Sequence, residues 1–284
     1  MKIKTVGIIG YPIAHSISPA MHNAAFKRLG LDFEYVPFEV KPEDLRSAID
    51  GLRDKGVVGF NVTIPHKEAI IPLLDEVTKL PRTIGAVNTV RIEGQKLVGY
   101  NTDGAGFLES LKIDAGIEPK DKDFVLLGAG GAARAVAVML AGSEAKSVIV
   151  TDIDAKKGDA LVNYVGSQFE TRMEFFPEKD SGLLKAISEA DVVINATPIG
   201  MHPREDECPL PPNSVLRAQC SVFDLVYNPP ETKLMKIAKE KGSNAVNGLG
   251  MLVRQGALSF TIWTGLTAPI DVMWKAAKEA LGIS

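Results

Sequence analysis

The stretch Asp123-Phe-Val-Leu-Leu-Gly-Ala-Gly-Gly-Ala-Ala-Arg-Ala-Val136 decides the fold of this chain. Phe124 to Leu127 is apolar throughout, with charge before it and glycine after it, the pattern of a strand buried in a parallel sheet. Gly128, Gly130 and Ala133 then fill the positions G-x-G-x-x-G/A, and Ala132 to Leu140 continues as an apolar, alanine-rich helix. Each small residue meets a need: Gly128 allows the tight turn, Gly130 lets backbone approach a pyrophosphate, and Ala133 lets the helix pack closely on the strand. The free N–H groups and the positive dipole end of that helix face the phosphates.

The context agrees with the fingerprint. The next strand pattern, Ser147-Val-Ile-Val-Thr-Asp152, ends in an acid about twenty positions beyond the loop, where a ribose diol is bound. The sequence therefore predicts a dinucleotide site built from Gly128, Ala129, Gly130, Gly131, Ala132 and Asp152.

Composition narrows the rest. At 284 residues the chain has length for two domains, and 45% hydrophobic residues supply ordinary cores. A net charge of −3 predicts neither a nucleic-acid partner nor an anionic membrane. Cys208 and Cys220, the only cysteines, make no disulfide framework and stand in no metal-ligand spacing, so no metal is expected. Lys4 to Gly10 is too short for a signal-peptide core, and no apolar run approaches the ~18 residues of a membrane span. The expectation is a cytoplasmic protein, monomer or homodimer.

Before residue 104, strand and helix patterns alternate. Val6 to Ile9 and Val57 to Val62 are apolar, and Phe33 to Val40 is a mixed strand-like run. Helical patterns cover Ala20 to Leu29, Pro42 to Lys55 and His66 to Val77; Ser18 and Pro19 stand where a cap and first helical residue belong. Ala86 to Ile92 and Leu97 to Tyr100 read as strands joined by the turn Glu93-Gly-Gln-Lys96. After a connecting helix at Gly104 to Leu111 and the nucleotide unit, further strand patterns follow at 172–176, 191–195, 221–225 and 244–246. With the two strands at the fingerprint these make six, as in a Rossmann sheet. Two terminal helices, Met251 to Trp263 and Val272 to Leu281, have no strand between them and are expected to return to the first domain. The predicted fold is α/β: an N-terminal domain with a mostly parallel sheet (1–103 plus 249–284) and a Rossmann-type domain (104–248).

Four polar clusters sit at strand ends or turns of the first domain: Ser16-Ile-Ser18, Asn61 to Lys67, Ala86 to Thr89 and Tyr100 to Gly104. Asn, Thr, Ser, Lys and Asp converging near a redox cofactor predict a small, hydroxyl-rich, anionic substrate. Together with Gly10 to Asn23, Gly128 to Ala132, Asn195 to Met201, Asp224 to Pro229 and Gly248 to Gln255, these clusters resemble shikimate dehydrogenases along essentially the whole chain. The resemblance implies two α/β domains with a cleft between them and reversible reduction of 3-dehydroshikimate to shikimate. It implies that Ser16 and Ser18 bind the substrate carboxylate. Thr63, Asn88, Asp103 and Gln255 would hold ring hydroxyls, and Tyr227 would be a further substrate contact. Lys67 would be the catalytic lysine with Asp103 its partner, and Thr197, Leu225 and Gly248 would belong to the cofactor site.

The chemistry asks for the same pair: hydride arriving at a carbonyl carbon leaves an alkoxide-like oxygen that needs a positioned acid, and a carboxylate beside Lys67 favours its ammonium form. Oxidation requires that lysine to accept a proton, which favours alkaline conditions. His15, His22 and His66 are read as structural. The chain departs from the family at Thr151-Asp-Ile-Asp154, where NADP users typically carry Asn-Arg-Thr/Ser. Isoleucine replaces the arginine and Asp152 adds negative charge, with Lys156 and Lys157 following, so NAD is expected to be preferred over NADP. Two alternatives stand beside the main reading: an NAD-dependent quinate/shikimate dehydrogenase working catabolically, and a ligand-binding paralogue without turnover, which retention of Lys67 and Asp103 argues against.

Overall fold

A computed structural model describes residues 3–283. It divides into two compact units, 1–106 with 252–284, and 107–251.

In the first unit the elements run β1 (Lys4–Gly10), α1 (Ser18–Arg28), β2 (Phe33–Glu39), α2 (Leu45–Asp54), β3 (Gly59–Val62), β4 (Glu76–Val77), α3 (Lys79–Ile84), β5 (Thr89–Glu93), β6 (Lys96–Tyr100) and α4 (Asp103–Ile113). The sheet order is β2-β1-β3-β5-β6-β4. Parallel pairing joins β2 to β1, β1 to β3, and β6 to β4, whereas β5 runs antiparallel to both of its neighbours. That reversal positions the candidate site. Thr89, at the start of β5, pairs with Asn61 near the end of β3 and with Tyr100 at the end of β6. The segments after β3, before β5 and after β6 therefore leave the sheet at one edge.

One face of this sheet is closed by Ile49 and Leu52 of α2 with Ile9, Phe60, Val62 and Val90. The amphipathic spacing of Leu45, Ile49 and Leu52 gives α2 its single buried stripe. Elsewhere in the unit, His22 and Phe26 of α1 meet rings from the sheet and the C-terminal helix: His22 stacks on Tyr35 at 4.4 Å between centroids, and Phe26 on Phe260 at 5.2 Å.

Two local expectations are corrected here. Residues 66–77 form no α-helix. They make a series of turns, a short 3₁₀ turn at Ile71–Leu73 and the two-residue strand β4. Pro72 cannot donate within a helix, and the carboxylate of Asp75 accepts from Leu97 N–H (2.7 Å), fastening the segment to β6. Ser18 is not the cap of α1: it is the helix's first residue, Ile17 holds the cap position, and no side-chain capping bond forms.

The second unit continues with β7 (Asp123–Leu127), α5 (Gly131–Gly142), β8 (Ser147–Thr151), α6 (Ala155–Gly166), β9 (Arg172–Phe175), α7 (Ser181–Glu189), β10 (Val192–Asn195), β11 (Ser221–Asp224), α8 (Lys233–Glu240) and β12 (Ala245–Asn247). Its six strands are all parallel, in the order β12-β11-β10-β7-β8-β9, which is the Rossmann arrangement read from one edge. Both β7 and β8 are buried on both faces, as their unbroken apolar runs require. The chain ends in α9 (Leu249–Thr264) and α10 (Ile270–Ala280). No helix among the described residues is long and apolar enough to cross a membrane.

His22 gives the first unit a pH signature. Its ring is fully buried, neither nitrogen has a hydrogen-bond partner, and burial pushes its pKa down to about 3. Unfolded, the imidazole takes up a proton near pH 6.5, while the folded protein resists until about 3. Stability contributed by this group is therefore complete above pH 6.5 and is lost as pH falls below it. The loss is about 2 kcal/mol between pH 7.5 and pH 5. Urea unfolding at those two values should show a smaller difference in His22→Phe than in the wild type; identical differences would refute this origin.

Candidate functional site

Lys67 lies in the turns after β3, where Val87 N–H donates to its carbonyl (2.8 Å) and pins its backbone. Asp103 opens α4, and Asn101 Oδ1 accepts from Gly104 N–H at that helix start (3.1 Å). From these two anchors the side chains meet: Lys67 Nζ donates to Asp103 Oδ2 at 2.6 Å, with side chains only 15% and 7% exposed. Asp103 Oδ1 accepts from Asn88 Nδ2 at 2.9 Å, so both carboxylate oxygens are engaged. A carboxylate so far out of water holds its charge only with such partners.

Asn88, 2% exposed, is itself fixed. Its Oδ1 accepts from Thr102 N–H at 2.7 Å, and a backbone N–H can only donate, so Nδ2 must face Asp103. Nδ2 also approaches Thr102 Oγ1 (2.8 Å) and Gln255 Oε1 (3.3 Å). Gln255 comes from α9, and its Nε2 donates to Leu252 O. Lys67, Asp103, Asn88 and Gln255 thus form one cluster. Beneath it lies a second polar layer that the motifs alone did not mark as one: Tyr35, Asn61, Thr89, Thr102 and Ser259. Asn61 Nδ2 reaches Thr89 Oγ1, Asn88 O and Ser259 Oγ at 2.9–3.1 Å, and Tyr35 donates to Asn61 Oδ1 at 2.8 Å. Ser259 and Tyr35 carried no local motif. Only their burial with a polar partner identifies them.

Ser16 and Ser18 adjoin each other, Ser18 N–H donating to Ser16 Oγ at 3.3 Å. The start of α1 offers little backbone donation: Ser18 N–H is taken by Ser16 Oγ, Pro19 has none and Met21 N–H donates to Ile17 O, so the two serine hydroxyls are its polar handles. Thr63 is half-buried, its N–H bound to Ile9 O, and Tyr227 belongs to the second unit, half-buried after β11, where burial raises its phenol pKa. His66 is committed elsewhere, with Nε2 2.7 Å from Val40 O.

In the second unit Gly128 has φ +107°, a conformation that glycine alone adopts freely, and a Cβ there would meet Thr197 Cγ2 at 3.1 Å. Gly130 differs: its φ is an ordinary −77°, and a Cβ would meet nothing within 4 Å. No protein neighbour demands glycine at 130, so the open space beside it is the cradle that a pyrophosphate requires. No side chain caps α5, leaving the N–H groups of Gly131, Ala132 and Ala133 for phosphate oxygens. The residues fit a dinucleotide.

Asn195 Oδ1 accepts from both Thr197 N–H and Thr197 Oγ1, and its Nδ2 donates to Asp224 Oδ1 at 2.9 Å. Asp224 also accepts from Thr232 Oγ1 and Val226 N–H, yet burial pushes its pKa up to about 6. Gly248 packs on Leu225, whose carbonyl oxygen a Cβ at 248 would overlap.

Asp152 at the end of β8 is held by backbone. Its Oδ2 accepts from Ala129 N–H at 2.7 Å and its Oδ1 from Asp154 N–H at 2.8 Å. The carboxylate ties the glycine loop to the start of α6 instead of standing free at the end of β8. Ile153 is 86% exposed, and exposed Lys156 and Lys157 follow in the first turn of α6.

Comparison with known proteins places the chain. Family models for the shikimate dehydrogenase substrate binding domain and the shikimate 5'-dehydrogenase C-terminal domain match residues 8–90 and 248–278. A shikimate dehydrogenase (NADP(+)) of Methanocaldococcus jannaschii is 48% identical over 281 residues, 99% of this chain and 98% of its own. A protein of the same name from Desulforamulus reducens is 46% identical over 272 residues, 96% and 94% of the two chains. The crystal structure of shikimate 5-dehydrogenase from Thermus thermophilus in complex with NADP(H) and shikimate is similar at a TM-score of 0.86 and 38% identity, covering 98% of this chain and 100% of that one. The expected preference for NAD is overturned by these relatives, which carry NADP in their names or their crystals. At the end of β8 the Asp152 carboxylate is drawn onto the Ala129 and Asp154 N–H groups, which lessens its field toward a phosphate, and exposed Lys156 and Lys157 follow it. Near-complete mutual coverage at these identities, with the motifs in one order, makes the chain a member of the shikimate dehydrogenase family.

Proposed function

We propose that this protein is an NADP-dependent shikimate dehydrogenase, interconverting shikimate and NADP⁺ with 3-dehydroshikimate, NADPH and a proton. The observation that carries the reading is the 2.6 Å contact between Lys67 Nζ and Asp103 Oδ2, held by Asn88 at the second oxygen.

When bound, the nicotinamide supplies or accepts the hydride. The chain's own residues do the rest. Lys67 as ammonium donates a proton to the developing oxyanion in reduction, and as a neutral amine accepts the hydroxyl proton in oxidation. Asp103 orients Lys67 and accepts a hydrogen bond from the substrate, and Ser16 and Ser18 hold the carboxylate at the start of α1. Gly128, Gly130 and the start of α5 cradle the pyrophosphate. Lys156 and Lys157 are the cations available to a 2′-phosphate beyond β8, and Lys157 Nζ, 3.9 Å from Asp154 Oδ2, is only loosely paired.

Lys67→Ala should lower kcat by about two to four powers of ten with little change in KM, the scale of general acid catalysis. Removing the ammonium leaves Asp103 buried without its cation, so melting temperature is measured beside kinetics. Near-normal kcat in the folded variant would refute the assignment, and His66 would not replace it, because its Nε2 is bound to Val40.

Ser16→Ala should mainly raise KM for shikimate, at a cost of about 1–3 kcal/mol if the carboxylate loses a partner. Lower thermal stability with unchanged KM would show that the segment only packs.

Lys156→Ala with Lys157→Ala should weaken NADP⁺ binding about tenfold by fluorescence titration and lessen its dependence on salt. Equal affinity in wild type and variant would place the phosphate elsewhere.

A further inference from the structure

Ser259 is fully buried in α9 and lies beyond the stretch Gly248 to Gln255 on which the resemblance of this helix rests. A helical serine ordinarily bonds its hydroxyl to the carbonyl four residues back, and Ser259 Oγ does reach Gln255 O at 3.1 Å. That bond to its own helix leaves the rest of the hydroxyl's surroundings unexplained. Its oxygen lies within hydrogen-bond distance of three groups from three other segments: Asn61 Nδ2 at 2.9 Å from β3, Thr89 Oγ1 at 2.8 Å from β5, and Thr102 Oγ1 at 3.2 Å beyond β6, and in both hydroxyl pairs either oxygen can donate.

We propose that Ser259 is a positioning residue for the Lys67–Asp103 pair, acting through Thr102, Thr89 and Asn88; the inference rests on the function proposed above for that pair. The path is short. Ser259 supports the Thr102 hydroxyl, which receives Asn88 Nδ2 at 2.8 Å. Thr89 Oγ1 donates to Asn88 Oδ1 at 3.2 Å. Asn88, held between the two threonines, donates to Asp103 Oδ1, and Asp103 Oδ2 holds Lys67.

Three strand-end segments of the first unit therefore share one hydroxyl supplied from its C-terminal helix. Remove it and Asn61 loses an acceptor and the two threonine hydroxyls turn toward each other (3.3 Å apart), so the groups flanking Asn88 shift while Thr102 N–H keeps its amide from turning over. Asp103 would then keep both donors but lose its aim. Lys67 would follow, because that carboxylate is what holds its ammonium group.

The role predicts a division that a packing residue would not give. Ser259→Ala deletes one oxygen with almost no change in volume. Its kcat should fall about tenfold, inside the hundredfold scale of a misplaced catalytic group, while KM for shikimate and Kd for NADPH stay within about twofold. Ser259→Cys, which retains a weak donor and acceptor, should recover part of the loss. In an Asn88→Ala background Ser259→Ala should add less than about twofold, because the path to Asp103 is already cut. Active-site titration with NADPH counts folded molecules in each preparation. Unchanged kcat in Ser259→Ala would overturn the proposal, as would a loss matched by fewer titratable sites or a loss that multiplies fully with Asn88→Ala. If Ser259→Ala does not fold, Thr102→Val removes the same link from its other end without altering shape and must show the same kcat-only loss. Lys67→Ala is assayed alongside. If it remains active, the assignment of the pair has failed; if it is inactive while Ser259→Ala is normal, only the positioning role has failed.

Discussion

Asp103 accepts from two donors at once, Lys67 Nζ on one oxygen and Asn88 Nδ2 on the other, and the polar interior of the first unit is organised to keep both donors in place. The constraint is electrostatic. An ammonium and a carboxylate removed from water recover their lost hydration only if geometry is good and the remaining lone pairs are met. Asn88 meets one of them, and can do so only because its own oxygen is occupied by the Thr102 amide. The reversed strand β5 is what makes this arrangement reachable, since it begins beside the ends of β3 and β6 and brings Asn88, the residue before it, to the second oxygen of Asp103.

The second unit solves a different problem with the same element, a carboxylate bound to fixed donors. Asp152 bridges the glycine loop and the turn into α6 through two backbone amides, so the loop's shape is set from the end of β8. Gly128 supplies the positive φ that this shape requires, whereas Gly130 meets no protein demand and keeps space open. Two glycines two residues apart thus serve separate purposes, one conformational and one steric. On the other side of β7, the Asn195–Asp224–Thr232 bonds hold Thr197 and the start of α8, again by satisfying a buried carboxylate with short, fixed donors.

Where an element's identity depended on local pattern, the sequence was enough to read it. The six parallel strands of the second unit follow from apolar runs bounded by turns, and Lys67, Asp103, Asn88 and Gln255, named from motifs, do meet in space. What escaped reading depended on partners distant in sequence. Residues 66–77 carry helical spacing, but Asp75 binds Leu97 N–H and draws the segment onto the sheet. Asp152 appears in sequence as an unpaired charge because nothing local announces that Ala129 N–H, 23 residues earlier, will bind it. Ser259 is 198 residues from Asn61 and 170 from Thr89. A single serine on an apolar helix carries no pattern from which such bonds could be read.

The buried layer beneath the ion pair fixes the orientation of its two amides, and that is its use. Amide side chains can normally turn over and exchange donor for acceptor. Asn88 cannot, because Thr102 N–H only donates. Asn61 cannot, because Asn88 O only accepts from its Nδ2, which obliges Tyr35 to donate to the opposite oxygen. With both amides fixed by backbone groups, the hydroxyls of Thr89, Thr102 and Ser259 lie between them at 2.8–3.3 Å from one another, and Ser259 sits at their meeting point. Partly satisfied polar clusters are costly and mobile, whereas fully satisfied ones are rigid. A general acid gains from that rigidity, since proton transfer requires the donor within hydrogen-bond reach of an oxygen that develops charge only in the transition state. The polar interior that costs stability relative to a hydrophobic core is therefore the part of the unit that fixes where Lys67 stands.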